Sequence, residues 1–217
     1  SKTGAEVIEH GKVWDEANQW ARELAQDPRS EFVPAFDHPV LWEGHSTMVD
    51  EILADCPPVD VLVASVGGGG LLAGLLTGLI RHRHTDCRIV ACETEGAASF
   101  AAAVAVGHPV RLPKIDTVAT SLGAAQVAAW PVRHIGDFPY ECVVLSDDEA
   151  IMGVVRYAND LRQLVEPACG VSLAIAYLDH PAIADANDVV IVVCGGVSIN
   201  AQLVAGWARM SNGAHAR

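Results

Sequence analysis

Four consecutive glycines, Gly67 to Gly70, stand between two apolar runs in VDVLVASVGGGGLLAGLLTGL, residues Val59 to Leu79, and that junction restricts the fold more than any other feature. The run from Val59 to Val66 is short and valine-rich, as a strand covered on both faces of a parallel sheet is. The run from Leu71 to Arg81 spaces its leucines as a helix does, with Gly74 and Gly78 on one side, and predicts a helix packed closely on that sheet. Between them the glycines leave the backbone free to take positive φ and to turn N–H groups inward.

A strand, a glycine loop and a helix N-terminus, in that order, form a site suited to a phosphate, because the leading helical amides lack partners and carry partial positive charge. The alternative is a tight turn with nothing bound. The dinucleotide pattern GxGxxG fits poorly, since Leu71 and Leu72 follow the glycines and no acidic residue ends a neighbouring strand at the expected distance. No Gly-Lys-Ser/Thr occurs, which removes the Walker pattern. The phosphate expected here is therefore not that of a nucleotide.

The 217 residues suffice for one large domain or a domain with a small appendage. No apolar run reaches a membrane span without glycine or charge, and the first residues lack a basic-then-apolar signal, so a soluble, cytoplasmic protein is expected. A net charge of −13 without a basic stripe argues against nucleic acid as a partner. Cys56, Cys87, Cys92, Cys142, Cys169 and Cys194 lack CxxC spacing and mostly lie in apolar runs, which suits reduced thiols.

In chain order, Gly4 to Ile8 reads as a strand and Trp14 to Gln26 as an amphipathic helix. Asp27-Pro28 breaks that helix, and Asp37-His38-Pro39 opens another from Val40 to Ala54, in which His45 reads as a packed or capping residue rather than a catalyst. A strand from Cys87 to Cys92 follows the glycine junction. Gly107 to Tyr140 is long, proline-bearing and aperiodic, and is expected to wrap a site. Cys142 to Leu145 reads as a strand, and Ser146-Asp147-Asp148-Glu149 as a capping box opening a helix to about Leu164. A helix starts after Glu166-Pro167, a doubly buried strand runs from Asp188 to Val193, and a last helix covers Ala201 to Ala208. Alternating strands and helices, with glycines at two strand ends, predict an open, mostly parallel α/β sheet whose ligand lies along the carboxyl edge, the Gly67 and Cys194 loops facing each other.

The blocks PAFDHPVLWEGHSTMVDEI, SVGGGGLLAGLLTGL, ACETEGAASF, LPKIDTVATSLG, LVEPACGVSLA and VVIVVCGG, in that order, resemble the fold-type II pyridoxal-phosphate enzymes, and within them the eukaryotic-type L-serine/L-threonine dehydratase group. The resemblance implies the large domain of a tryptophan synthase β-like fold over residues 37–217, preceded by a remnant of a small domain in residues 1–36. It implies that Gly67, Gly68, Gly69 and Gly70 hold the cofactor phosphate, and that Cys194, followed by Gly195, meets the pyridine nitrogen. A thiol with an unperturbed pKa near ~8.5 cannot keep that nitrogen protonated as an aspartate would, which suits elimination, where the leaving hydroxyl soon takes the electrons. The other reading of Cys194 is a small buried apolar side chain. The resemblance also implies a potassium-like cation on Glu93, Ala97, Ser99, Leu122 and Ala124; alternatively Glu93 caps a loop.

Two of the family's motifs are missing: the SFKxRG-like segment with the Schiff-base lysine and the SxGNxG loop that grips the substrate carboxylate. The only lysines are Lys2, Lys12 and Lys114, and none matches the motif. The chain therefore corresponds to the family's C-terminal portion and is expected to be inactive alone, with a complementing N-terminal chain or a homodimer as partner and a small amino acid as substrate. The competing readings are a non-catalytic phosphate-binding or interaction module, and an assembly subunit pairing through an exposed sheet edge. Cysteine synthase-like replacement is disfavoured because Cys194 stands where a hydroxyl residue is usual.

Overall fold

The computed structural model describes residues 4–56 and 58–214. The chain divides into two compact units, Ser1–Ala35 and Phe36–Arg217. The first carries α1 (Trp14–Leu24), none of whose residues is buried. Local contacts hold it: His10 stacks on Trp20 at 4.8 Å and the Arg22 guanidinium lies 4.4 Å over the Phe32 ring. The strand expected at Gly4 to Ile8 does not form; the segment has no ladder partner among the described residues, and Val7 and Ile8 are exposed. Extended backbone becomes a strand only when its amides find a neighbour.

The second unit contains α2 (Pro39–Asp55), β1 (Val61–Ser65), α3 (Gly70–Arg81), β2 (Arg88–Thr94), α4 (Ser99–Val106), α5 (Ala129–His134), β3 (Tyr140–Leu145), α6 (Asp147–Leu161), α7 (Pro167–Tyr177), β4 (Val189–Ile191) and α8 (Ala201–Ala214). The sheet order is β3-β2-β1-β4 and every pairing is parallel. Successive residues of a strand face opposite sides. Leu62 and Ala64 accordingly enter a core with Val49 of α2, Leu72 and Leu75 of α3 and Phe100 of α4, while Val61 and Val63 enter another with Ala150 of α6 and Val171 and Ile175 of α7. Helices thus cover both faces, as the alternating pattern predicts.

Further expectations need correction. Asp188 to Val193 is not a doubly buried strand: only Val189–Ile191 is extended into the ladder, half-buried, because β4 is the sheet's edge and pairs with β1 alone. Gly74 and Gly78 do not mainly admit the sheet; a Cβ on Gly74 would meet the Trp42 carbonyl and His45, and one on Gly78 would meet Val49 and the Ser46 carbonyl, so these glycines seat α3 against α2. His45 is accordingly a packing residue, and His38 is the cap, its Nδ1 accepting the Val40 N–H at 3.2 Å. Finally, the stretch from Gly107 to Tyr140 is not wholly irregular: it holds α5 and 3-10 turns at Thr120–Leu122 and Ile135–Asp137.

The capping box forms as written in the sequence, with Ser146 N–H donating to Glu149 Oε2 at 2.7 Å and Glu149 N–H donating to Ser146 Oγ at 3.3 Å. α6 stops at Leu161 rather than Leu164 because Arg162 takes φ +61°, ending the helical ladder. The last helix runs on to Ala214 rather than stopping at Ala208.

Candidate functional site

β1 delivers the glycine loop to the carboxyl edge, its exit held by Val66 N–H donating to the Cys92 carbonyl at 2.8 Å. Gly69 takes φ +88° and N-caps α3, with no side-chain cap and no acidic residue in the first turn. The ladder of α3 begins with Ala73 N–H to the Gly69 carbonyl at 2.8 Å. The amides before that bond precede the intrahelical ladder, and they present the positive end of the helix dipole to the edge of the sheet.

The loop admits no side chains. A Cβ on Gly67 would lie 3.0 Å from Leu122 Cα and from the Ser121 carbonyl, and one on Gly70 would lie 2.6 Å from the Phe36 carbonyl. Ala128 N–H donates to the Gly68 carbonyl at 3.0 Å. The tetraglycine turn is therefore clamped between Phe36 and the turn at Thr120–Leu122, its shape set before any ligand arrives. Free helical amides, a positive dipole end and the lack of a first-turn carboxylate fit a phosphate.

Across the edge, Cys194 Sγ lies 3.6 Å from Ser65 Oγ, so the end of β4 meets the end of β1 where the loops were expected to face each other. Cys194 is exposed and is not a buried apolar side chain. Cys169, buried in the first turn of α7, brings its Sγ to 3.1 Å from Cys194 Sγ; it also accepts the Gly195 N–H at 3.0 Å and lies 3.0 Å from the Gly195 carbonyl.

The hydrogen bond with Cys169, aided by Ser65, lowers the Cys194 pKa to about 7, against partial desolvation of the sulfur in this otherwise exposed residue and the charge of Glu166. The shared hydrogen bond and burial push Cys169 far up in return. Glu166, the residue before α7, accepts hydrogen bonds from Ser121 Oγ and Ser198 Oγ, each at 2.9 Å, tying the turn under Gly67 to the loop beyond β4.

Glu93, at the end of β2, is buried and accepts the Phe100 N–H on Oε1 and the Ala101 N–H on Oε2, each at 2.8 Å. This is a capping role, on the first turn of α4. Burial nevertheless pushes its pKa up to about 7. Beside it, Ser99 Oγ is buried and finds no partner among the described residues. Ala97 and Leu122 share one core cluster, and the Leu122 carbonyl accepts the Ala124 N–H at 2.8 Å, keeping a second lone pair. An orphaned hydroxyl next to a buried carboxylate is what a hard cation with oxygen ligands satisfies. Among the described residues no three His, Cys, Asp or Glu side chains converge.

Lys114 is exposed and paired with Asp116 at 2.7 Å; Lys12 is exposed, and Lys2 lies outside the described residues. Ser65, Cys169 and Glu166 are site residues that the sequence reading does not single out. Two of them stand within LVEPACG, but linear spacing does not say that α7 begins beneath the end of β4.

A family profile described as "Pyridoxal-phosphate dependent enzyme" matches residues 1–195. The chain is 44% identical over 208 residues to a human protein named "Serine dehydratase-like", covering 92% of this chain and 63% of that one. It is 39% identical over 216 residues to an L-serine dehydratase of Saccharomyces cerevisiae, covering 89% and 63%. The chain thus spans less than two thirds of the length of these relatives. Among solved structures, a fungal L-serine ammonia-lyase from Rhizomucor miehei superposes with a TM-score of 0.89 at 32% identity, over 96% of this chain and 68% of that one. The processed form of threonine deaminase isoform 2 from Solanum lycopersicum superposes with a TM-score of 0.83 at 25% identity, over 96% and 60%.

Proposed function

This chain belongs to the pyridoxal-phosphate dependent enzyme family, and on that premise we propose that it is the cofactor-binding portion of an L-serine/L-threonine ammonia-lyase, which eliminates water from its substrate and releases ammonia and a 2-oxo acid. The observation that carries this reading is the meeting of a pre-shaped amide cradle and a thiol, through Ser65 and Cys194, at the ends of neighbouring parallel strands. The names of the relatives supply the substrate class. Residues 1–36 are then a remnant of the small domain and residues 37–217 the large one, working in the cytoplasm with a homodimer partner or a complementing N-terminal chain.

Pyridoxal phosphate, when bound, supplies the electron sink that stabilises charge at the substrate's α-carbon. The amides of Gly67 to Gly70 would hold the phosphate, and Cys194 Sγ, beside Gly195, would face the pyridine nitrogen. Glu93 and Ser99, with the carbonyls of Ala97, Leu122 and Ala124, would hold a potassium-like ion, which would stiffen the turn on which Gly67 rests. The α-proton must be moved by an amine, and neither Lys12 nor Lys114 is placed in the family's motif. The chain alone is therefore inactive, and an added segment carrying the lysine completes it.

The test uses the purified chain with a mass-verified N-terminus, pyridoxal phosphate, and L-serine or L-threonine. No pyruvate or 2-oxobutyrate is expected from the chain alone; both product and a visible cofactor absorbance band appear when the N-terminal segment of a full-length relative is added. Turnover by the chain alone overturns the dependence on a complement. Cofactor binding that the complement never converts to turnover would select a second reading, a non-catalytic phosphate-binding or interaction module.

A further inference from the structure

Cys169 and Cys194 are 25 residues apart in the chain, and their sulfurs lie 3.1 Å apart. A disulfide bond is about 2.05 Å long, so about 1 Å of approach converts the contact into a bond. The two thiols are unlike. Cys194 is exposed, on the loop that leaves an edge strand, whereas Cys169 is buried in the first turn of α7 and gripped by both the N–H and the carbonyl of Gly195. One sulfur can reach an oxidant and the other waits behind it, an attacking and a resolving thiol.

We propose that Cys169 and Cys194 are an oxidation site, which hydrogen peroxide closes to a disulfide. The Cys194 thiolate attacks one peroxide oxygen and the O–O bond breaks. Hydroxide leaves, takes up the proton that Cys194 released and becomes water; Cys194 is now a sulfenic acid. The Cys169 sulfur then attacks the Cys194 sulfur, the S–O bond breaks, and hydroxyl departs with the Cys169 proton as a second water. Two thiols have lost two electrons and two protons, and one peroxide has become two waters.

The remaining cysteines make the site selective. Cys87 and Cys92 are buried and Cys142 is half-buried, so an oxidant in solution does not reach them as it reaches Cys194. Cys56 is exposed and serves as the internal control. The closed pair also removes the free thiol from the carboxyl edge; that consequence, loss of the group facing the pyridine nitrogen, rests on the function proposed above.

The reduced chain, without cofactor, is treated with one equivalent of hydrogen peroxide, denatured in an alkylating agent, and digested with a protease that cleaves at aspartate. Asp179, Asp185 and Asp188 separate the two cysteines, so a bond between them links two peptides. The expected result is a fall from six free thiols to four, with the link found between Cys169 and Cys194 and Cys56 still alkylated. In C169S, Cys194 should instead be caught as a sulfenic acid by a 1,3-dione probe. Independent alkylation of both cysteines in the wild-type chain, or progress of Cys194 to sulfinic acid without a link, overturns the proposal whether or not the variant folds. The cofactor reading is judged separately: the disulfide forming in the bare chain, with pyridoxal phosphate spectra identical before and after oxidation, leaves the redox pair standing and removes Cys194 from the ring.

Discussion

The loops that leave β1 and β4 end neighbouring strands of one sheet, yet they are built to opposite specifications. The Gly67–Gly70 loop leaves a fully buried strand and is clamped by Phe36, Ser121, Leu122 and Ala128, so its amides are held in place by atoms on every side. The Cys194–Gly195 loop leaves a half-buried edge strand, and Cys194 is exposed. Its order comes from a few polar contacts, to Cys169, Ser65 and Glu166. The interior of a sheet pre-shapes a binding loop by packing, whereas the edge must hold its loop with directional bonds that chemistry can alter.

The widest separation between the two loops should come from adding bulk. Gly70→Val drives a side chain into the Phe36 backbone and is expected to destabilise the chain by about 3 kcal/mol or more, read as a lower urea midpoint. A midpoint within error of wild type would mean the cradle is not clamped.

A comparable effect is expected from pH at Glu93, whose buried carboxyl belongs to the clamped side. Its folded-state pKa, about 7, lies above the ordinary 4.5, so the folded chain is favoured below pH 4.5 and loses that advantage as pH rises through 7. The size is about 3 kcal/mol across that window. Denaturation curves of wild type and Glu93→Gln from pH 4.5 to 8 should diverge by that amount. Potassium, but not tetramethylammonium, should recover part of the loss at pH 8 in wild type only; equal responses to both cations would remove the ion site.

On the open side, the reactivity of Cys194 sharpens the contrast. Its alkylation rate should rise with a midpoint near pH 7, set by the Cys169 and Ser65 hydrogen bonds against Glu166. Cys169→Ala removes the largest cause and should carry the midpoint upward toward that of an ordinary thiol. An unmoved midpoint would show that Cys169 is only a neighbour. The smallest effect is expected from Gly195→Ala, whose Cβ would meet nothing nearer than Glu166 Oε1 at 3.6 Å. Its stability should stay within about 0.5 kcal/mol of wild type, the counterpart to Gly70→Val.

Much of the clamped side was legible in the linear chain because its determinants are local. Valines before four glycines and leucines after them specify strand, turn and helix within one contiguous stretch, and the capping box at Ser146 closes between residues three apart. The open side was legible as Cys194 on a loop facing the Gly67 loop, without the residues that hold it there. Its neighbours Ser65, Glu166 and Cys169 come from three other parts of the chain, and no spacing rule joins them.

The sequence by itself determined that strands alternate with helices, that the tetraglycine turn opens a helix, and that Cys194 follows a strand, because short-range sterics and hydrophobic period act between residues close in the chain. Only the tertiary structure decided that β4 is an edge, that Gly74 and Gly78 receive α2, and that one thiol tunes another. Those outcomes depend on which elements become neighbours after the core closes, and hydrogen bonds and desolvation act through space, not along the backbone.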